Sequence, residues 1–275
     1  MFTLNCKGKL LMIDKPIVMG VINSTPDSFY TNSRQHTAEQ ALQKATQMLQ
    51  EGATIIDIGG QTTKPNVAPI TQDEELKRVI PVIEIIIKNF PDTLISIDTY
   101  YASVAKEAVQ AGACIVNDIS AGLLDNAMLQ TIAQLKTPYV CMHMQGTPQT
   151  MQQNPQYENV TKEVVEFFIE RIEACRLAGV YDVIIDVGFG FGKTIQHNMQ
   201  LLKGLEVFKI LEKPILLGVS RKSTIYKIIE TTAEEALNGT TVLNTIGLLN
   251  GANILRVHDV KEAVECIKLI DVYRQ

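Results

Sequence analysis

Polar side chains that could do chemistry follow short apolar runs at eight points of this 275-residue sequence. These points are Asn23, 59–63, Asp98, 117–118, His143, Asp186, 220–222 and 256–258. From the first to the last, the mean step is roughly 33 residues, which suits one strand, one helix and their loops in a barrel of eight such units. Because the carboxyl ends of parallel strands meet at one face of a barrel, we expect these side chains to surround a common site.

Four of these residues form a set suited to a flat ligand that makes many hydrogen bonds. Asp98 and Asp186 offer carboxylates, each of which can accept two N–H donors side by side. Asn117 and Lys222 can donate to ring nitrogens or to carbonyl oxygens. The combination predicts a pocket for a heterocycle with an amino-pyrimidinone edge. For each residue alone, an ion pair or a helix cap is the alternative.

A second set of residues predicts an anion site. Arg256 and His258 lie at the end of the last predicted strand, and Asn23 and Thr63 follow the first two. Barrels often bind phosphate groups after their last two strands, where the N–H groups of a helix N-terminus add to the side-chain donors. The amide oxygen of Asn23 can bind a Mg²⁺ ion that bridges phosphate oxygens, or Asn23 can be a plain turn residue before Pro26.

The elements that must position these residues alternate along the chain. Runs rich in Val and Ile predict strands at 16–22, 53–58, 94–97, 114–116, 138–142, 183–187, 215–219 and 253–257. Apolar residues at helical spacing predict helices at 37–50, 73–89, 101–110, 157–178 and 260–272. The strands are almost continuously apolar, as in a parallel sheet covered on both faces. We therefore predict a single (β/α)8 barrel domain spanning 1–275, with an N-terminal extension or hairpin at 1–13.

The composition excludes several classes of function. With 25 basic and 30 acidic side chains the net charge is −5, and no basic cluster indicates a nucleic-acid partner. No apolar run is long enough for a transmembrane helix, and the first residues lack the pattern of a signal peptide. The five cysteines show no C-x-x-C spacing, which predicts reduced thiols in a cytoplasmic protein. No zinc-ligand spacing, Walker motif or nucleophile elbow is present.

Eight strings of this sequence, taken in order, resemble the dihydropteroate synthase family of pterin-binding barrels. They are MGVINSTPDSF (19–29), IIDIGGQTTKP (55–65), SIDT (96–99), VNDIS (116–120), MHMQGTP (142–148), DVGFGFGK (186–193), GVSRKS (218–223) and RVHDV (256–260). The resemblance runs from about residue 17 to residue 260 and independently implies the barrel fold.

The resemblance implies a transferase of folate biosynthesis. Such an enzyme condenses (7,8-dihydropterin-6-yl)methyl diphosphate with p-aminobenzoate to give 7,8-dihydropteroate and pyrophosphate, by an SN1-like path with Mg²⁺ at Asn23. The implied pterin diphosphate site comprises Thr63, Asp98, Asn117, Met142, Asp186, Phe191, Lys222, Arg256 and His258. Lys222, Arg256, His258 and Asn23 are the implied catalytic residues, and Phe29, Lys64, Pro65 and Ser223 form the implied p-aminobenzoate site. A homodimer and sulfonamide binding are also implied.

The first two predicted loops, at residues 30–33 and 61–65, depart from the family pattern, and three of the changes involve a charged residue of the family. Thr31 replaces the usual Asp, Gln61 the usual Glu, and Lys64 the usual Arg. Lys for Arg is not conservative where a guanidinium binds a carboxylate through two hydrogen bonds. These changes leave open a catalytically weak paralogue that binds pterin diphosphate. A methyltetrahydrofolate methyltransferase, which also holds a pterin in a barrel, has no need for Arg256 and His258 and is the weaker alternative.

Overall fold

The computed structural model of the chain describes residues 1–24, 34–61 and 68–275, with the backbone alone for 34–37. The strands are β1 (Phe2–Cys6), β2 (Lys9–Ile13), β3 (Ile17–Asn23), β4 (Ile55–Gly59), β5 (Leu94–Asp98), β6 (Ile115–Asp118), β7 (Tyr139–Met142), β8 (Val183–Asp186), β9 (Ile215–Leu217) and β10 (Ile254–Val257). The helices are α1 (Arg34–Glu51), α2 (Gln72–Asn89), α3 (Ala102–Ala111), α4 (Met128–Leu135), α5 (Val160–Ala178), α6 (Ile195–Lys203), a 3₁₀ helix (Leu205–Leu211), α7 (Ser223–Ile228), α8 (Leu237–Leu249) and α9 (Val260–Tyr273).

The predicted (β/α)8 barrel is confirmed. Strands β3 to β10 pair in parallel and close into a barrel, with β10 hydrogen-bonded to β3. Residues that point outward from the strands, such as Ile56 and Ile185, pack with the surrounding helices in one large core. The alternate residues point into the barrel, so each strand is apolar on both faces along most of its length.

The predicted N-terminal hairpin is also present, and it closes one end of the barrel. Strands β1 and β2 pair antiparallel from Phe2 opposite Ile13 to Cys6 opposite Lys9. Their buried side chains pack onto the inward-facing residues of the barrel strands. We call the inward-facing apolar layer the apolar floor; it comprises Met19, Ile55, Ile115, Val140, Ile184, Leu216 and Ile254. Burial of this layer removes water from the amino-terminal half of the barrel.

Helix boundaries follow local capping residues. Helix α5 begins at Val160, because the Asn159 side chain accepts a hydrogen bond from the Lys162 N–H at 3.1 Å. The helix therefore starts three residues later than the predicted 157. It ends at Ala178 and is followed by Gly179, whose φ of 89° is the left-handed conformation expected after a helix C-terminus.

All five cysteines are buried, and none of them forms a disulfide. No helix in the described residues is long and apolar enough to cross a membrane.

Candidate active site

The centre of the site is the guanidinium of Arg256, which reaches across the carboxyl end of the barrel. Its Nε donates to Asp57 Oδ2 at 2.7 Å, and its Nη2 donates to Asp98 Oδ2 at 2.6 Å. The Asn117 amide also donates to Asp57 Oδ2, at 3.1 Å. Arg256, which the sequence grouped with the anion site, thus lies in contact with Asp98 of the heterocycle set. The two predicted sets adjoin in one cluster.

Asp57 is a site residue that the sequence reasoning missed. It lies in the middle of β4, between two outward-facing isoleucines, and its side chain points into the barrel. The residue is fully buried, and its Oδ1 has no hydrogen-bond partner among the described residues. A charged residue inside an apolar strand was the available signal, because burying an unpaired carboxylate oxygen is costly unless a ligand engages it.

Asp186 and Lys222 lie on the other side of the opening. Asp186 Oδ1 accepts the Gly188 N–H at 2.8 Å, which fixes the carboxylate at the end of β8. The Lys222 ammonium donates to the Phe189 carbonyl oxygen and lies 4.5 Å from the centroid of the Phe191 ring. Buried Met142, paired with Asp186 across β7 and β8, adds an apolar wall. The structure therefore brings six polar residues together at the carboxyl end of the barrel. We call this cluster the polar mouth; it comprises Asp57, Asp98, Asn117, Asp186, Lys222 and Arg256.

Burial dominates the electrostatics of the polar mouth. It raises the pKa of Asp98 to about 7, although the charge of Arg256 opposes the change. Burial likewise raises the pKa of Asp186, against the opposing charge of Lys222. It lowers the pKa of Lys222 to about 8, although Asp186 favours the charged ammonium. Three carboxylates thus face two cations in a desolvated pocket, an arrangement that favours a ligand rich in N–H donors.

His258 follows β10 and is held by Ser220. The Ser220 hydroxyl oxygen accepts the His258 backbone N–H at 3.2 Å and lies 3.0 Å from His258 Nδ1. This contact directs the other ring nitrogen away from Ser220. Burial and the nearby Arg256 charge lower the pKa of His258 to about 4. Arg221, in contrast, forms two hydrogen bonds to Asp259 at 2.9 and 2.8 Å and braces this loop.

Asn23 completes the carboxyl-end face of the barrel. Its Oδ1 and the Oδ2 of Asp98 both lie within 4 Å of the point that a side chain at Gly59 would occupy. The absence of a side chain at Gly59 therefore leaves space beside the Asn23 and Asp98 oxygens. Among the described residues, no cluster of three or more His, Cys, Asp or Glu side chains could hold a metal ion unaided.

Of the other positions singled out in the sequence, Ser223 and Gln61 are among the described residues. Ser223 is the first residue of α7, directly after Lys222. Phe29, Thr31, Thr63, Lys64 and Pro65 lie outside the described residues. Gln61 is described: its amide bonds both the N–H and the carbonyl of Ile70 and also donates to Glu75, each at 3.2 Å. The Gln61 side chain is thus held by three hydrogen bonds.

Comparison with known proteins agrees with this geometry. Residues 19–258 match the family described as pterin binding enzymes. Dihydropteroate synthase from Escherichia coli K12 is 42% identical over 267 residues, which are 96% of this chain and 94% of that protein. Dihydropteroate synthase from Haemophilus influenzae is 42% identical over 268 residues, 97% of each chain.

Solved structures give the same result. Yersinia pestis dihydropteroate synthase in complex with a sulfonamide drug has a TM-score of 0.93 at 40% identity, covering 99% of both chains. Xanthomonas albilineans dihydropteroate synthase with 4-aminobenzoic acid has a TM-score of 0.92 at 37% identity, covering 99% of this chain and 98% of that chain. The chain therefore belongs to the pterin binding enzymes and, among them, to the dihydropteroate synthase family.

Proposed function

We propose that this chain condenses (7,8-dihydropterin-6-yl)methyl diphosphate with p-aminobenzoate, giving 7,8-dihydropteroate and pyrophosphate in folate biosynthesis. The observation that carries the proposal is the polar mouth, in which paired and unpaired carboxylate oxygens face a barrel opening closed below by the apolar floor. A related synthase from Xanthomonas albilineans was solved in complex with 7,8-dihydropteroate, at 34% identity and a TM-score of 0.87.

The polar mouth would hold the pterin. Asp186 would accept two N–H groups from the amino-pyrimidinone edge, and Asn117 and Lys222 would donate to its ring nitrogen and carbonyl oxygen. Asp98 contributes a further acceptor beside Arg256. Phe191 and Met142 provide apolar surfaces for the ring. Each of these contacts replaces water in a buried pocket, which gives the site its selectivity for the heterocycle.

The diphosphate would lie above the pterin, toward Asn23 and the last strand. Arg256 uses Nε and Nη2 for Asp57 and Asp98; its other N–H groups have no hydrogen-bond partner among the described residues and would face phosphate oxygens. The His258 ring nitrogen directed away from Ser220 and the Thr63 hydroxyl would add donors. The oxygen of Asn23 suits Mg²⁺, which accepts one or two protein oxygens when substrate phosphates supply others. Such an ion would neutralise charge on the departing pyrophosphate.

Catalysis by this chain would then rest on charge stabilisation and positioning. Arg256 and His258 would stabilise the negative charge that grows as the C–O bond breaks. The electron-rich dihydropterin can delocalise the resulting cation, so departure can precede attack in an SN1-like path. The arylamine is already a nucleophile and needs orientation, which Phe29, Lys64, Pro65 and Ser223 would supply beside Lys222.

The whole chain, 1–275, would act as one domain in the cytoplasm and pair as a homodimer. Val242, Ile246 and Leu249 repeat at helical spacing on α8 and are exposed. An exposed apolar stripe of this kind favours an interface between copies. Sedimentation of the purified chain should therefore show a dimer, and a charged substitution such as Ile246→Glu should shift it toward monomer.

Pyrophosphate release tests the proposed activity. The assay contains dihydropterin-methyl diphosphate, with Mg²⁺ and p-aminobenzoate each present or omitted. We expect release to depend on p-aminobenzoate, with one dihydropteroate formed per pyrophosphate. Pterin binding without dihydropteroate would instead support the catalytically weak paralogue, in which the changes at residues 31, 61 and 64 prevent the condensation with p-aminobenzoate.

A further inference from the structure

A buried lysine that the proposed mechanism does not use lies behind the polar mouth. Lys193 is 3% exposed, and no carboxylate contacts it among the described residues. Its Nζ lies 2.8 Å from His143 Nδ1 and 3.0 Å from the carbonyl oxygens of both Gly188 and Phe191. These three groups surround the Lys193 amine, and burial lowers the pKa of this amine well below its ordinary value. A lysine is rarely buried this way without a specific role, because desolvating its charge is costly.

The two carbonyl oxygens that lie 3.0 Å from Lys193 Nζ belong to one short segment, residues 188–192, which we call the glycine loop. Each of its five carbonyl oxygens accepts a hydrogen bond from a side chain. The donors are Lys193 to Gly188 and Phe191, Lys222 to Phe189, Gln152 to Gly190, and Tyr157 to Gly192. The loop thus wraps around Lys193, which alone contacts two of its carbonyl groups and ties both to His143 on the neighbouring strand end.

The backbone of the glycine loop permits little adjustment. Gly188 has φ of 65°, and a side-chain carbon there would lie 1.8 Å from the His143 carbonyl oxygen. A side-chain carbon at Gly192 would lie 2.5 Å from the Gln145 carbonyl oxygen. The loop therefore packs directly against the backbone that follows β7, in a conformation that only glycine adopts without strain.

The opposite face of the glycine loop is in contact with Lys222. The Phe189 carbonyl accepts its ammonium, and the Phe191 ring stacks against it at 4.5 Å. Both contacts depend on the shape of the loop, since Phe191 also offers its carbonyl to Lys193 at 3.0 Å. A shift of this loop by an ångström would move the Lys222 ammonium and the ring together. Misplacements of that size typically cost catalysis about 100-fold.

We propose that Lys193 is a positioning residue for Lys222: it holds the glycine loop in the shape that presents the Phe189 carbonyl and the Phe191 ring to the Lys222 ammonium. The consequence for pterin binding rests on the proposed function, which assigns Lys222 to the substrate. The proposed effect of Lys193 on the position of Lys222 does not rest on that function, because it concerns contacts within the chain itself.

A double-mutant cycle tests the consequence for binding. The variants are Lys193→Met, Lys222→Met and the double variant, and calorimetry measures the affinity for 6-hydroxymethylpterin. We expect Lys193→Met alone to weaken binding roughly 10-fold or more, and to change it less than about twofold when Lys222 is already absent. Equal losses in both backgrounds would show that Lys193 acts on the whole barrel, and no loss in either would also overturn the proposal.

A second readout needs no ligand. In protein with isotope-labelled lysine, the ε-methylene signal of Lys222, assigned by its disappearance in Lys222→Met, should carry a ring-current shift from Phe191. Lys193→Met should move this signal toward the value of an exposed lysine; an unchanged signal would overturn the proposal. If wild type shows the shift but binds no pterin, the proposed function fails and the positioning role survives.

Two further variants separate positioning from folding. Lys193→Gln keeps two donors without the charge, so it should retain part of the Lys222 shift and carries the test if Lys193→Met does not fold. Gln152→Ala removes a hydrogen bond from the solvent side of the same loop, at the Gly190 carbonyl. We expect Gln152→Ala to leave both the Lys222 signal and pterin affinity within about twofold of wild type.

Discussion

The apolar floor and the polar mouth occupy the same barrel strands but have opposite character. Each mouth residue on β4, β6, β8 and β10 lies two positions beyond a floor residue, with its side chain on the same inner face. The pairs are Ile55 and Asp57, Ile115 and Asn117, Ile184 and Asp186, and Ile254 and Arg256. The floor is buried, packed and covered by the hairpin, whereas the mouth holds charged groups and, in Asp57 Oδ1, a buried oxygen with no partner among the described residues.

This difference separates the source of stability from the source of function. Burial of the floor contributes to the free energy of folding through apolar area and close packing. The mouth opposes folding, since its carboxylates lose water and Asp57 Oδ1 gains no partner among the described residues. Substitutions in the floor should therefore change stability with little effect on pterin binding, whereas substitutions in the mouth should weaken pterin binding.

The largest effect on stability is expected in the floor. Ile184 is completely buried there, so Ile184→Ala should lower the free energy of unfolding by about 3 kcal/mol, while Ile184→Val should lower it by about 1 kcal/mol. Urea denaturation measures both values. The pterin affinity of the folded Ile184→Ala protein should stay within about twofold of wild type. A large loss of affinity would contradict the assignment of stability to the floor and of pterin binding to the mouth.

The largest effect on binding is expected in the mouth. Asp186→Asn removes a paired acceptor and should weaken pterin binding roughly 30- to 100-fold, about 2–3 kcal/mol. A matched control lies just before the other end of β8, where Asp182 accepts the Asn5 N–H at 2.8 Å and ties down the hairpin. Asp182→Asn should leave pterin affinity unchanged. Calorimetric titrations that gave equal affinities for Asp186→Asn and wild type would remove Asp186 from the site.

The pH dependence of stability also distinguishes the mouth from the floor. Burial raises the pKa of Asp98 from 3.8 to about 7, so the folded protein holds this proton more tightly than the unfolded chain. The stability associated with Asp98 is therefore fully present below about pH 4 and is lost as the pH rises through 7. Relative to Asp98→Asn, wild type should lose about 3 kcal/mol between pH 4.5 and 8 in urea titrations. A constant difference across this range would contradict the raised pKa.

The smallest effect is expected at residue 64, outside both layers. Lys64→Arg would offer a p-aminobenzoate carboxylate two parallel hydrogen bonds where lysine offers a point charge. We expect the KM for p-aminobenzoate to fall by about threefold or less, with the KM for the pterin substrate unchanged. A large loss of turnover would indicate that the surrounding loops are adapted to lysine.

The sequence predicted the barrel because its pattern follows directly from packing. Parallel strands covered on both faces must be apolar, and glycine after several helices marks their ends. Asp98, Asn117, Asp186 and Lys222 were found because they lie at predicted strand ends, where a barrel places its site.

The sequence could not predict which polar residues contact each other. Asp57 was overlooked because it lies inside a strand, and only the inward direction of its side chain brings it to Arg256 at 2.7 Å. The contact of Arg256 with Asp98 spans 158 positions of the chain, a pairing that spacing alone does not reveal. Lys193 ends a glycine-rich string of the sequence, and its burial against His143 emerges only from the packing of two loops.

The most direct test of the central claim is a crystal structure of this chain with 6-hydroxymethylpterin bound. The account predicts one ligand in the mouth, with its amino-pyrimidinone edge on Asp186, a ring nitrogen or carbonyl within hydrogen-bond distance of Asn117 or Lys222, and no change in the floor. Pterin density at another surface, or in a mouth whose Asp186 and Asn117 make no contact with it, would contradict the account.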